Sequence, residues 1–285
     1  MAKDKLVLVD LDKTLIDESY KLTDDLSEVV ELCRSKGIRL GLCSDSPLKP
    51  LMRWAEKLGF DGPIVAELGA LVYLPEYNKV AITHQGETSF FSELRGDFIK
   101  NLGKRFREIS IFIGDNTEFI SQEISFDFMD EVVVLVSGYR TQSLAFHVRR
   151  YNREKSILVK DADLLKEITR IAKETLEAGF FSHHYPFIGK IWIDMNEKYG
   201  ITIFHSKKSN KKDGVRLAMQ KSGIKEIAMI GDSVYDFLDD KAVLQLAVGN
   251  ASVEYKEKSA FTSPYEYTSG VKNLLKGILK GDIKF

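Results

Sequence analysis

In the first part of the chain, short unbroken apolar runs alternate with stretches whose apolar positions recur every three or four residues. Leu6–Val9 holds only leucine and valine, the composition of a strand covered on both faces. From Asp24 to Lys36 the residues Leu26, Val29, Val30 and Cys33 fall at helical spacing, and Gly37 ends the pattern. Ile38–Cys43 reads as a second strand. Leu48, Leu51, Met52, Ala55 and Leu58 make another amphipathic helix, closed by Gly59, and Pro63–Ala66 reads as a third strand. Strand–helix–strand–helix–strand predicts a parallel sheet with helices on its faces.

The rhythm then changes. Leu71–Thr83 reads as a hairpin around Pro75–Asn78. Helical stretches at Glu93–Glu108 and Ala162–Glu177 are mixed with strand-like ones at Ile109–Ile113, Glu131–Val136, Leu144–Val148 and Lys190–Asp194. Several of these alternate, which predicts a sheet with one covered face. His147 and Arg149 share a face opposite Leu144, Phe146 and Val148, and are read as solvated. The first rhythm returns with a helix at Lys212–Ser222, a strand at Ile227–Ile230, a helix at Val234–Ala242, a strand at Leu244–Val248 and a helix at Tyr267–Leu279. The expected organisation is an α/β core built from residues 1–85 and 202–285, with an α+β insert over 86–201.

Composition narrows the partners. Apolar residues make up 44% and charged residues 29%, with a net charge of −1 and no basic stripe, so neither nucleic acid nor a membrane surface is expected as a partner. No run approaches the ~18 apolar residues of a membrane span. The opening MAKDKLVLVD is too short in its apolar part, and acidic too early, for a signal peptide, so a cytoplasmic protein is expected. Cys33 and Cys43 lack metal-type spacing and read as buried reduced thiols. A monomer or a homodimer is expected.

The chemistry concentrates at strand ends. Asp10 and Asp12 close the first strand, where open parallel sheets bind ligands. Two carboxylates so close repel each other unless a hard cation such as Mg²⁺ holds them or one stays protonated. Taken alone, they could equally be a turn cap and a solvated acid. Ser44 ends the second strand and Lys211 precedes a helix; a hydroxyl and an ammonium there could hold a phosphoryl group, or simply cap and dissolve. In IAMIGDSVYDFLDD a buried strand runs into Asp232, and Asp236 lies one helical turn on, which suits a metal ligand and its supporting carboxylate.

Together, Asp10-Leu-Asp12-Lys-Thr14, Ser44, Lys211 and Gly231-Asp232-Ser-Val-Tyr-Asp236 resemble the four motifs of the haloacid dehalogenase superfamily. The resemblance implies a doubly wound, Rossmann-like core. The room between Ser44 and Lys211 implies a cap of the second type, as in the subgroup of sugar-phosphate and phosphoglycolate phosphatases. GPIVAELGALVY and LAVGNAS resemble that subgroup's stretches. Leu68, Ser44-Asp45-Ser46 and Tyr235 depart from its usual residues, which leaves the substrate open. The resemblance makes Asp10 the nucleophile and Asp12 the general acid and base. Ser44 and Lys211 become the phosphate binders. Asp10, the Asp12 carbonyl and Asp232 become Mg²⁺ ligands, with Asp236 bracing the metal shell. It implies hydrolysis of a small phosphorylated metabolite, phosphoglycolate or a sugar phosphate, through an aspartyl-phosphate, with the cap excluding water. A sugar-phosphate mutase and a non-catalytic metabolite sensor are the other readings. Gly114-Asp115 lacks an acid four residues on and reads as a polar turn; His183-His184 reads as loop surface.

Overall fold

The computed structural model of the chain describes residues 5–84, 88–114, 130–181 and 191–284. It divides into two compact units, Met1–Thr83 with Ser209–Phe285, and His84–Lys208. In chain order the strands are β1 (Lys5–Val9), β2 (Ile38–Cys43), β3 (Ile64–Ala66), β4 (Leu71–Leu74), β5 (Lys79–Ile82), β6 (Ile109–Gly114) and β7 (Val132–Ser137). They continue with β8 (Ser143–Asn152), β9 (Ile157–Val159), β10 (Ile191–Asn196), β11 (Ile201–Ser206), β12 (Glu226–Gly231), β13 (Val243–Ala247) and β14 (Phe261–Thr262).

The first unit is one sheet in the order β14–β13–β12–β1–β2–β3–β4–β5. Only the β3–β4–β5 pairings are antiparallel. The aliphatic β1 lies at its centre because both its faces are covered. Val7 and Val9 pack with Val29, Val30 and Cys33 of the helix Ser27–Ser35 and with Val271, Leu274 and Leu275 of the helix Tyr267–Lys280. Leu6 and Leu8 pack on the other side with Val215 and Ala218 of the helix Lys211–Ser222. Val9 lies opposite both Ile230 of β12 and Leu42 of β2, so the carboxyl ends of three central strands meet at one edge. The chain first builds the β2 side and later returns to the β12 side. The boundary between β1 and β12 is therefore the switch point where such sheets place their ligands.

The second unit is a sheet in the order β10–β11–β8–β7–β6, with β9 paired to β8. Among the described residues its one parallel pairing is β6–β7. Phe91, Leu94 and Phe98 of the helix Thr88–Arg105 and Ile168 and Ala172 of the helix Ala162–Phe181 cover Val134, Phe146 and Phe204.

Three expectations change. His147 and Arg149 are buried rather than solvated, at 4% and 9% exposure. Arg149 donates to the carbonyls of Val148, Tyr199 and Gly200, so its charge ties backbone together. β11 pairs with both β10 and β8, so the chain rejoins the first unit at Ser209 instead of 202. Val234–Ala242 is not a helix: a single 3₁₀ turn, Val234–Asp236, gives way to an irregular crossover. The Asp236 carboxylate turns back onto the amides of Asp232 and Ser233 ahead of the turn, and Asp239 turns the chain at φ 42°, which ends helical growth. Asp115, His183, His184 and Lys190 lie outside the described residues. No helix among the described residues is long and apolar enough to cross a membrane.

Candidate active site

Asp10 extends β1 by one step: its N–H donates to the Ile230 carbonyl at 2.9 Å. That pairing holds a carboxylate of 6% exposure at the switch point. Lys211 Nζ donates to Asp10 Oδ1 at 2.8 Å and also to Asp236 Oδ1. The Thr14 hydroxyl lies 3.2 Å from Asp10 Oδ2 and 3.3 Å from Asp232 Oδ1, so it bridges the first and fourth motifs. Asp236 Oδ2 accepts from the Asp232 and Ser233 amides at 3.0 Å each and from the Ser233 hydroxyl at 3.2 Å. Asp12 Oδ2 accepts from the Ser46 hydroxyl at 3.0 Å. Ser44 Oγ accepts the Ser46 amide at 3.1 Å, which leaves its own proton to donate.

Asp10, Asp232, Asp236 and Lys211 thus form one cluster. Asp12 and Ser44 are joined to each other through Ser46, on the loops that follow β1 and β2.

Two glycines let this cluster close. Gly69 has φ +87°, and a Cβ there would lie 2.0 Å from the Asn210 carbonyl, so the helix that starts at Lys211 can approach only a bare backbone. The Asn210 side chain caps that helix by accepting the Asp213 amide at 2.8 Å. At Gly231 a Cβ would meet Asp236 Cβ at 2.4 Å and push the brace away from Lys211.

The electrostatics are unbalanced. Burial pushes the Asp10 carboxyl well above the usual carboxylate range; Lys211 opposes this, while Asp236, Asp232 and Asp12 reinforce it. Burial, then Asp236, pushes Asp232 up to about 6. Burial works against a charged Lys211, but Asp10 and Asp236 outweigh it and hold the ammonium well above its ordinary pKa. The nearby Cys43 thiol is pushed up to about 12 by burial and is inert.

Asp10, Asp232 and Asp236 can each offer an oxygen within 4.8 Å of the others. Both oxygens of Asp236 are already occupied, one by Lys211 and one by the 232–233 loop. Asp236 Oδ2 takes three donors from that loop, whereas each Asp10 oxygen takes one, from Lys211 or Thr14, and Asp232 Oδ1 takes Thr14; Asp10 and Asp232 are thus the carboxylates that could hold a metal, with Asp236 behind them. An all-oxygen, negatively charged donor set with too few cations fits Mg²⁺.

Two supporting residues escape sequence reasoning. Ser46 aims Asp12, but it sits where a resemblance to the phosphatase subgroup points only to a departure. Asn250 fixes the loop after Asp12: its amide donates to the Lys13 carbonyl at 2.7 Å and accepts the Tyr267 N–H at 2.9 Å. The LAVGNAS stretch was the available signal for it.

A family model described as haloacid dehalogenase-like hydrolase matches residues 7–275. The Bacillus subtilis (strain 168) protein YxeH, which carries a phosphatase name, is 26% identical over 95% of this chain and 97% of its own. Phosphoglycolate phosphatase 1 of Saccharolobus solfataricus is 24% identical over 98% of this chain and 97% of its own. A haloacid dehalogenase-like hydrolase from Bacteroides thetaiotaomicron has the same fold, with a TM-score of 0.64 at 17% identity over 96% of this chain and 99% of that one.

Proposed function

The chain belongs to the haloacid dehalogenase-like hydrolase family, and on that premise we propose that it is a Mg²⁺-dependent phosphomonoesterase acting on a small phosphorylated metabolite, phosphoglycolate first and sugar phosphates second. The observation that carries this reading is the buried Lys211 ammonium, which bridges Asp10 and Asp236 beside Asp232. This arrangement presents a nucleophilic carboxylate, a fixed positive charge and a metal-type donor pair to one point.

Asp10 attacks phosphorus in line, and the phosphorus–oxygen bond to the leaving group breaks. Asp12, aimed by Ser46, gives its proton to the departing oxygen. The resulting Asp12 carboxylate then takes a proton from water as that water attacks the aspartyl-phosphate, which frees phosphate and restores Asp10. Lys211 and the Ser44 hydroxyl hold the transferring oxygens throughout. Mg²⁺ on Asp10, Asp232 and the Asp12 carbonyl would supply further positive charge for those oxygens. The full-length phosphoglycolate phosphatase relative supports the first choice of substrate.

The test compares Asp10→Asn with Asp12→Asn on an aryl and an alkyl phosphate. Asp10→Asn should form no covalent phosphate with either. Asp12→Asn should lose far more rate on the alkyl ester, whose leaving group needs the proton. With the aryl ester it should show a burst, because the second step lacks its base. Covalent phosphate on Asp10→Asn, or equal losses on both esters for Asp12→Asn, would refute the assignment. A panel of phosphoglycolate and sugar phosphates, ranked by kcat/KM, then decides the substrate.

A further inference from the structure

The irregular crossover Phe237–Ala242 leaves a cleft where a crossover helix would ordinarily lie. The cleft has a volume of about 520 Å³, within the size range of small-molecule sites. It is open at the amino ends of β12 and β13, where Glu226, Ile227 and Val243 line it. The catalytic Asp232 follows the opposite end of β12, one strand length away, or ~17 Å.

The chemistry of the lining is specific. Gln245 lines the cleft at 6% exposure; its Oε1 accepts from the Tyr255 hydroxyl at 3.4 Å, but its Nε2 has no hydrogen-bond partner. A buried donor left unpaired costs stability unless something binds it. Phe237 offers a half-buried ring with Lys258 Nζ 5.4 Å from its centroid. The acids of the cleft are largely answered from outside it: Glu226 pairs with Lys5 at 2.9 Å, Asp240 with Arg216 at 3.0 Å and Asp239 with Lys212 at 4.0 Å. Lys225 and Lys241 line the cleft, exposed, with no ion-pair partner among the described residues. The net demand is for an acceptor, negative charge and a flat apolar body.

The crossover is also wired to the catalytic cluster. It begins at Asp236, which holds Lys211. It is tied twice more to the helix that carries that lysine, by Lys212 Nζ to the Asp239 carbonyl at 2.6 Å and by Arg216 Nε to Asp240 Oδ2 at 3.0 Å.

We propose that this cleft binds a small organic anion with an aromatic or apolar body, at a site separate from the catalytic cluster and linked to it through the crossover. A ligand that fixes Phe237–Ala242 changes the freedom of Asp236 and of the helix start, and so the placement of Lys211.

The probe is naphthalene-2-sulfonate, whose sulfonate offers the anion but no phosphoester to cleave. Isothermal titration into the full chain should show one-to-one binding that excess inorganic phosphate does not displace. The double variant Lys225→Gln/Lys241→Gln should bind about tenfold more weakly, since two charge-assisted contacts of a few-fold each are lost. The probe should alter kcat or KM for an aryl phosphate in the parent and not in the double variant. Absence of binding heat, displacement by phosphate, or unchanged affinity in a double variant that melts like the parent would overturn the site. Binding without any kinetic effect would overturn the link. The binding heat is read independently of catalysis, so it stands or falls apart from the phosphatase reading.

Discussion

Replacing Asp232 by asparagine should make the metal-free protein more stable at neutral pH and, in the same molecule, remove its activity. In the folded chain the Asp232 carboxyl titrates at about 6, against 3.8 for the ordinary group, because it is buried beside Asp236. The folded state therefore holds this proton more tightly than the unfolded state does. Below the ordinary value both states are protonated and the residue costs nothing. As pH rises through about 6 the folded state must carry a buried charge, and the cost is complete at pH 7. The difference of about 2 pKa units corresponds to ~2–3 kcal/mol at ~1.36 kcal/mol per unit. Asparagine keeps an oxygen for the Thr14 hydroxyl, now 3.3 Å from Asp232 Oδ1, and removes the charge. Thermal unfolding in excess chelator should place the variant ~5–10 °C above the parent at pH 7. The two curves should converge near pH 4. Added Mg²⁺ should raise the parent's midpoint and not the variant's. A variant that melts at or below the parent at pH 7 in chelator would refute the electrostatic argument, and one that Mg²⁺ stabilises equally would refute the ligand assignment.

Lys211→Met leaves Asp10 and Asp236 buried without their shared cation; we expect a loss of ~3–5 kcal/mol in urea unfolding and no measurable turnover of an aryl phosphate. Gly69→Ala and Gly96→Ala should part in sign. A Cβ at Gly69 meets the Asn210 carbonyl and displaces the Lys211 helix start, so stability should fall by more than ~2 kcal/mol and kcat should drop with it. Gly96 lies in the helix Thr88–Arg105 with nothing within 4 Å of the added carbon, so alanine should stabilise by ~0.5–1 kcal/mol and leave kcat alone.

The central sheet was legible because its strands are buried on both faces. Leu6–Val9 cannot be anything but interior, and Asp10 and Asp12 stand out against such a run. What the pattern could not convey was a segment ruled by one side chain. Val234, Phe237 and Leu238 have helical spacing, yet the Asp236 carboxylate turns back onto the Asp232 and Ser233 amides and Asp239 bends the chain. His147 and Arg149 misled for the opposite reason: charge suggested solvent, but Arg149 satisfies itself on three backbone carbonyls inside the insert. At the site, the named motifs supplied the charged residues that the fold brings together. The residues that aim them are invisible as chemistry: Ser46 holds Asp12 and Asn250 holds the Lys13 carbonyl through single hydrogen bonds across 34 and 237 positions of sequence.

The same separation has a consequence for synthesis. Asp10 leaves the ribosome 201 positions ahead of Lys211, its partner. At ~5–20 residues per second that is an interval of ~10–40 s. Throughout it β1 lacks β12, the neighbour whose carbonyl takes the Asp10 amide. The insert, emitted in between, is a compact unit with an apolar core of its own. The growing chain therefore carries an aliphatic half-sheet and an Asp10 carboxylate without its counter-ion. The cluster of Asp10, Lys211 and Asp232 is complete only once β12 has been made, so until then a nascent chain leaves the β12 side of β1 uncovered.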